Sequence, residues 1–158
     1  MPHLEFKIEI AAPVEQVWAF YDSLDTLLQI TPPPTRVRIP EPPERLQEGT
    51  RFTMLVQQPP FFLPIPWECY ITAHQPPHLF VDEQGRGPFA AWRHVHSFEP
   101  LPSGGTLLTD SITYTPPLGF LGTIADWLFL RRMLTQMFAY RHMVTRRELE
   151  TPASGLSK

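Results

Sequence analysis

Near the middle of the 158-residue chain the sequence reads Trp92-Arg93-His94-Val95-His96-Ser97-Phe98, and after a Ser103-Gly104-Gly105 turn it continues Thr106-Leu107-Leu108-Thr109-Asp110-Ser111-Ile112-Thr113-Tyr114. Both runs alternate in character, as β-strands with one buried face do. Two strands joined by a tight turn cannot bury an apolar face unaided. An apolar segment that opens at Pro116-Pro117 can cover that face as a helix. We therefore predict a sheet around one long helix, with either a packed core or a ligand cavity between them.

The composition is that of one folded domain. With 158 residues, 42% of them hydrophobic, the chain can bury a core, which we place at residues 1–150, and residues 151–158 read as a disordered tail. A net charge of −3 argues against nucleic acid as a partner. No apolar run reaches the roughly 20 residues of a membrane span, and no signal-peptide pattern opens the chain. We expect a cytoplasmic protein that does not insert stably into membranes; its oligomeric state is left open.

The remaining elements follow from periodicity and from 20 prolines that stand at their boundaries. Alternation predicts a strand from His3 to Ala11. Two short helices are predicted next, the first beginning at Pro13 and the second capped by Asp22 or Ser23. Further strands are predicted over residues 36–39, 50–57, 66–74, 78–84, 89–99 and 106–114. From Pro117 to about Glu150, apolar residues at spacings of three and four predict one continuous helix. Its predicted inner stripe includes Phe120, Ile124, Trp127, Leu128, Leu134, Met137 and Phe138.

This order of elements resembles the helix-grip fold of the START and Bet v 1 superfamily. The motifs that carry the resemblance are Gly87-Pro88-Phe89, Trp92-x-His94-x-His96-x-Phe98, Thr106-x-Leu108-x-Asp110-x-x-x-Tyr114 and Pro117-x-Gly119-x-x-Gly122. They are similar to bacterial SRPBCC proteins of the cyclase/dehydrase-like, ligand-binding group, and the resemblance extends from about Pro2 to Glu150. It implies an α+β fold in which a curved antiparallel sheet of six or seven strands wraps a long carboxyl-terminal helix. It also implies a deep apolar cavity between sheet and helix.

We expect this cavity to bind, and to be able to transport, a hydrophobic small molecule such as a lipid, fatty acyl or polyketide-like compound. Strand alternation and helix spacing select its lining, which is Phe52, Met54, Trp67, Trp92, His94, His96, Asp110, Tyr114, Leu121, Ile124, Leu128 and Phe138. A one-residue error in register would move the strand members to the opposite face together.

His96 is predicted to face Asp110 across the hairpin. The two can satisfy one another, since buried polar groups need partners, or they can orient a polar group on a ligand. They can also serve catalysis: the alternative function is a polyketide cyclase/dehydratase-like enzyme in which His94 or His96 moves protons and Asp110 sets the tautomer. Histidines two apart can bind zinc or iron, but no third ligand at suitable spacing is recognisable in the strands, so we expect no metal and no cofactor.

Other enzyme signatures are missing from the sequence. It contains no nucleophile paired with a base, no phosphate loop and no close pair of carboxylates, which favours a binding protein over an enzyme. The single Cys69 lies in a strand pattern and reads as a small buried side chain. Arg93 and Arg141 read as members of surface ion pairs, or as anchors for an anionic head group.

An apolar loop, Pro59-Pro60-Phe61-Phe62-Leu63-Pro64, joins two predicted strands. Such a loop can fold back on the domain, contact a second copy or another protein, form a lid, or touch a bilayer interface transiently to collect a lipid-like ligand. Gly119 and Gly122, in the first turns of the long helix, predict a close approach of a strand or a hinge at the cavity mouth.

Overall fold

The computed structural model describes residues 1–59 and 63–151, and seven antiparallel strands form one curved sheet in it. The strands are β1 (His3–Ile10), β2 (Arg36–Arg38), β3 (Arg51–Gln57), β4 (Ile65–Gln75), β5 (Leu79–Gln84), β6 (Ala91–Pro100) and β7 (Thr106–Thr115). Their order is β1-β7-β6-β5-β4-β3-β2, so β1 lies beside the last strand and the others form a meander. The predicted helix-grip architecture is confirmed. Phe61, Phe62 and most of the predicted tail lie outside the described residues.

Two short helices follow β1, as predicted. Helix α1 (Val14–Tyr21) buries an apolar stripe that ends at Tyr21, and α2 (Leu24–Gln29) continues the chain toward β2. The Trp18 ring on α1 packs edge-on against Phe80 and Phe98 of the sheet, with ring centroids 5.9 and 5.4 Å away. This contact closes one end of the core.

The terminal helix has the predicted extent but not the predicted regularity. It consists of α3 (Gly119–Ala125), a five-residue π-helical turn (Asp126–Leu130) and α4 (Arg131–Glu150). Leu134 and Phe138 of the predicted inner stripe are buried, at 2% and 0% exposure. The part of the stripe before α4 is wrong, because Phe120, Ile124, Trp127 and Leu128 are all exposed.

The buried stripe of α3 and the π-helical turn consists of Gly122 and Asp126 instead. A Cβ on Gly122 would lie 1.7 Å from the carbonyl oxygen of Pro117, so only glycine fits this close approach. The Tyr114 hydroxyl donates a hydrogen bond to the buried Asp126 carboxylate. The apolar pattern therefore predicted the wrong inner face for this segment. The close approach at Gly122 and the hydrogen bond to Asp126, rather than hydrophobic side chains, hold it in place. The close approach predicted at Gly122 is real, but its partner is the connection after β7.

Strand register places the predicted side chains on one face of the sheet. Met54 pairs with Trp67, Trp92 with Tyr114, and His96 with Asp110, so the predicted parity of β3, β4, β6 and β7 is confirmed. This face packs against α4, where the Phe138 ring stacks on Phe6 with centroids 4.9 Å apart. Within the described ranges, no helix is both long enough and apolar enough to cross a bilayer.

Candidate functional site

Five titratable side chains meet where β5, β6 and β7 lie under α4. We call Asp82, His94, His96, Asp110 and His142 the polar cluster. Asp82 pairs with His94 across β5 and β6, and His96 pairs with Asp110 across β6 and β7, so all four point to the same face. His142 reaches them from α4, one helical turn after the buried Phe138.

Asp110 is the centre of the polar cluster and is only 1% exposed. His94 Nε2 donates to its Oδ1 at 2.9 Å, and His142 Nε2 donates to its Oδ2 at 2.7 Å. His96 Nδ1 also lies 2.9 Å from Oδ1, but its direction does not make a hydrogen bond. Burial raises the pKa of Asp110, yet the hydrogen bonds from His142 and His94, together with the adjacent His96 imidazole and its charge, outweigh it and hold that pKa well below the usual range. The carboxylate is therefore ionised.

Asp82 is the second carboxylate, and it is the one that solvent reaches. Its Oδ2 lies 3.0 Å from His96 Nε2 and 3.4 Å from His94 Nδ1. Its side chain is 19% exposed, against 3% for His94 and 7% for His96. Burial opposes ionisation, but the electrostatic interaction with His94, the hydrogen bond and charge of His96, and the charge of Arg141 lower the pKa of Asp82.

The two histidines of β6 have opposite tendencies. Burial, reinforced by the charge of His96, lowers the pKa of His94 below its ordinary value, so its imidazole is neutral at neutral pH. Burial also disfavours the charged form of His96, but the close contact with Asp110 and the hydrogen bond to Asp82, together with the charges of both carboxylates, raise its pKa. The pKa values of two rings whose centroids are 3.7 Å apart are thus shifted in opposite directions.

Arg141 contributes a further charge beside the polar cluster. Its guanidinium carbon lies 5.0 Å from the centre of the Phe138 ring, and its buried Nε has no hydrogen-bond partner within residues 1–59 and 63–151. Burial lowers the pKa of this guanidinium, while the charge of Asp110 raises it. The prediction of a surface ion pair is wrong for Arg141, since its stem packs inward. It is right for Arg93, whose Nε lies 3.2 Å from Glu83 Oε1.

Aromatic rings connect the polar cluster to the surface. We call Trp67, Phe89, Trp92 and Tyr114 the aromatic group; its successive ring centroids are 5.0 to 5.7 Å apart. Trp67 and Phe89 are half-buried, whereas Trp92 and Tyr114 are buried. The Trp92 ring meets the His94 ring edge-on at 6.2 Å, and Phe80 stacks on His96 at 3.9 Å. The aromatic group therefore leads from partly exposed rings to a buried imidazole.

The structure brings together only part of the predicted cavity lining. Trp92, His94, His96, Asp110, Tyr114 and Phe138 lie together, with Trp67 at the edge. Phe52 packs instead in a separate cluster with Cys69 and Ile71, against which Met54 lies. The prediction that Leu121, Ile124 and Leu128 line the cavity is wrong, since their side chains are 56%, 50% and 48% exposed. Gly122 and Asp126 occupy the inner face of this segment instead.

Leu63 and Gly119 do not line the mouth of a cavity as predicted, and the depressions on the surface lie elsewhere. Leu63 is 79% exposed, and Gly119, with φ of 56°, forms the turn into α3 rather than the lining of a cavity. A depression of about 530 Å³ lies beside the β6–β7 turn and Arg146, and one of about 410 Å³ lies beside Phe52 and Arg51. Neither borders the polar cluster, next to which Trp92, Tyr114, Leu134 and Phe138 pack closely.

Asp82, His142 and Asp126 were not predicted as site residues, although a sequence pattern pointed to each of them. Asp82 lies two residues after the buried Phe80, so alternation already put both on one face. His142 lies four residues after Phe138, at helical spacing. Asp126 is an acidic residue inside an apolar run, which is costly to bury without a partner. Their partners, which are His94 for Asp82, Asp110 for His142 and Tyr114 for Asp126, follow only from the contacts between elements.

A seven-stranded antiparallel sheet that grips a terminal helix, with polar side chains buried between them, defines a helix-grip protein of the SRPBCC type. The chain belongs to the family described as polyketide cyclase/dehydrase and lipid transport, which it matches over residues 10–143. A search of curated protein sequences found no match.

Solved structures from several bacteria share the fold. A Mycobacterium smegmatis protein is 21% identical with a TM-score of 0.71, over 97% of this chain and 92% of that one. A Chromobacterium violaceum protein is 11% identical with a TM-score of 0.75, over 96% and 100%. An aromatase/cyclase from a Streptomyces species is 19% identical with a TM-score of 0.70, over 98% of both chains. At these identities the likeness concerns the fold alone.

Proposed function

We propose that the protein binds a hydrophobic small molecule between the sheet and the terminal helix, with its apolar body against the aromatic group and a polar group at the polar cluster. The observation that carries this proposal is the continuous set of rings from half-buried Trp67 and Phe89 to Trp92, which touches His94. Small-molecule sites typically combine aromatic walls with a few convergent polar groups.

The proposed ligand class follows from the chemistry of the two regions. The aromatic group offers rings to a polyene, an aromatic system or an acyl chain. The polar cluster offers a neutral imidazole, a partly exposed carboxylate and the charge of Arg141. A lipid, fatty acyl or polyketide-like compound with one hydrogen-bonding end suits both regions, and the family description supports these classes. Release of the same compound unchanged would amount to transport.

Titration with cis-parinaric acid, a fluorescent polyene fatty acid, tests the binding proposal. Burial of an aromatic side chain contributes about 1.5–3 kcal/mol, so Trp67→Ala is expected to weaken binding roughly tenfold or more. Trp127→Ala is the matched control, because that indole is 79% exposed; its affinity should stay within about twofold of the unsubstituted protein. Equal affinities of Trp67→Ala and the unsubstituted protein would count against the aromatic group as the binding surface.

The second candidate is a cyclase/dehydratase-like enzyme that uses His94 or His96 with Asp110. It is favoured by one observation: Asp110 fixes the proton of His94 on Nε2, which leaves Nδ1 as a proton acceptor. In such an enzyme the base removes a proton beside a carbonyl and water leaves from the neighbouring carbon. The fold shared with an aromatase/cyclase is consistent with this chemistry.

His94→Gln and His96→Gln separate the two candidates, because glutamine keeps hydrogen bonds but cannot act as the proton-transferring base. The assays are cis-parinaric acid affinity and the elimination of water from a β-hydroxyacyl thioester, followed by mass spectrometry. The binding function predicts weaker affinity of the variants and no elimination by any of the three proteins. Elimination by the unsubstituted protein that disappears in His94→Gln or in His96→Gln, with affinity unchanged, would establish the enzyme instead.

A further inference from the structure

Three metal-ligating atoms converge at the partly exposed edge of the polar cluster. Asp82, His94 and His96 each offer one ligand atom, and these three atoms lie within 4.8 Å of one another. The carboxylate oxygen is 3.0 Å from the His96 nitrogen and 3.4 Å from the His94 nitrogen. Nitrogen and oxygen ligands lie about 2.0–2.2 Å from a zinc ion, so neighbouring ligands are themselves separated by roughly 3–3.5 Å. Two of the separations already have these values.

The ligand atoms of this group already lie close to one another. His94 Nε2 lies 2.9 Å from Asp110 Oδ1, which leaves Nδ1 as the nitrogen of that ring on the Asp82 side. His94 Nδ1 and Asp82 Oδ2 are 3.4 Å apart, and both are atoms that bind metals. A cation between them would be stabilised by both atoms. The His96 side of the carboxylate holds a single proton, which a cation can replace.

Asp110 lies behind both imidazoles, on the side away from Asp82. A histidine that binds a metal almost always donates its other nitrogen to a carboxylate, a carbonyl or water. His94 donates to Asp110 in this way. His96 Nδ1 lies 2.9 Å from the same oxygen, and a small rotation of its ring would complete a second such bond. His142 contacts the other Asp110 oxygen, so one buried carboxylate stands next to all three imidazoles.

We propose that Asp82, His94 and His96 form a binding site for a divalent transition-metal ion, with Asp110 as the residue that positions both histidines. Two imidazoles and one carboxylate suit zinc or iron(II) and leave coordination positions open for water or a ligand oxygen. The 19% exposure of Asp82 provides access. No third ligand is recognisable from spacing within the strands, and Asp82 supplies that ligand from the adjacent strand.

The test measures metal binding directly and uses no organic ligand, so it can fail or succeed independently of the proposed function. Chelator-treated protein is titrated with Zn²⁺ by calorimetry, with Fe²⁺ under anaerobic conditions, and with Co²⁺ as a spectroscopic probe. We expect one ion per chain with a Kd in the micromolar range or tighter. X-ray absorption of the zinc form should show imidazole and carboxylate ligands and no sulfur, although Cys69 is buried on the same face.

Three variants locate the ion. Asp110→Asn should weaken zinc binding about 10–100-fold, as loss of an orienting partner does, and Asp82→Asn should weaken it further because a direct ligand is removed. His74→Gln is the matched control: His74 Nε2 lies 2.9 Å from Asp22 Oδ1, in a histidine–carboxylate pair away from the polar cluster. Its affinity should equal that of the unsubstituted protein.

Each outcome has a defined meaning. Thermal unfolding of the metal-free variants verifies that they fold. If Asp82→Asn does not fold, the X-ray absorption spectrum of the unsubstituted protein still identifies the ligands. The proposal is overturned if none of the three ions binds at millimolar concentration. It is equally overturned if Asp82→Asn binds zinc as tightly as the unsubstituted protein, or if sulfur appears among the ligands. Preference between zinc and iron(II) is read from competition between the two ions.

Discussion

At the scale of single residues, Asp110 organises the site. It was predicted as the partner of His96, and the strand register confirms that pairing. Its hydrogen bonds come instead from His94 on the same strand as His96, and from His142 on α4. The hairpin turn sets which residues face each other, and this much can be inferred from sequence. Which ring nitrogen reaches which oxygen depends on rotamers and on the docking of α4, and alternation carries no information about either.

The depressed pKa of Asp110 predicts a specific loss of stability in acid. His94, His96, His142 and Arg141 face this carboxylate. Because its folded-state pKa lies below the unfolded value of about 3.9, its contribution is fully present above about pH 4. It is lost as the pH falls further toward the folded-state pKa. Urea unfolding at a series of pH values from 7 down to 3 should show this decline.

Asp110→Asn is the comparison for this experiment. Removing one partner of a buried ionic network costs about 3–5 kcal/mol, so the variant should be less stable at pH 7 and should lose less on acidification. Asp25→Asn, on the exposed side of α2, should behave like the unsubstituted protein within about 0.5 kcal/mol. His94 and His96 have pKa values shifted in opposite directions, so their contributions near neutrality partly cancel. Parallel acid curves for Asp110→Asn and the unsubstituted protein would refute the assigned role of Asp110.

At the scale of elements, the terminal helix shows what periodicity reveals and what it misses. Its extent was predicted nearly to the residue, from the proline pair before it to Glu150. The π-helical turn and the inner stripe of Gly122 and Asp126 were not predicted. Hydrophobic spacing assumes that the apolar side is the buried side. That assumption fails where a close backbone approach and one hydrogen bond, to Tyr114, position the segment.

Gly122→Ala tests this description of the segment. The added methyl group would meet the Pro117 carbonyl, which is backbone and cannot swing aside. We expect a loss of about 1–3 kcal/mol, as for other overpacked sites, even though alanine favours helix by about 1 kcal/mol over glycine. Thr123→Ala, one residue further and exposed, should change the free energy of unfolding by no more than about 0.5 kcal/mol. A stabilised Gly122→Ala protein would show that the close approach does not hold in solution.

At the scale of the whole molecule, the fold was more predictable than the site. Alternation in β1, β6 and β7, turn residues and the final apolar run were sufficient for a sheet around a helix, because each is a local signal. Correct parity also placed Trp92, His94, His96, Asp110 and Tyr114 on one face. Asp82 and His142 join the polar cluster only through packing between elements. The predicted lining from Leu121, Ile124 and Leu128 failed for the same reason: it depended on how the helix is rotated.

The four tryptophans of the chain lie in three different environments. Trp67 and Trp92 belong to the aromatic group, Trp18 of α1 packs against Phe98 at the other end of the core, and Trp127 is exposed. The most direct measurement is therefore an NMR titration of the four indole N–H signals with cis-parinaric acid. A ligand seated beside the polar cluster will shift the signals of Trp67 and Trp92 and leave that of Trp18 in place. Shifts confined to Trp127 would put the ligand on the outer surface of the helix and contradict an internal site.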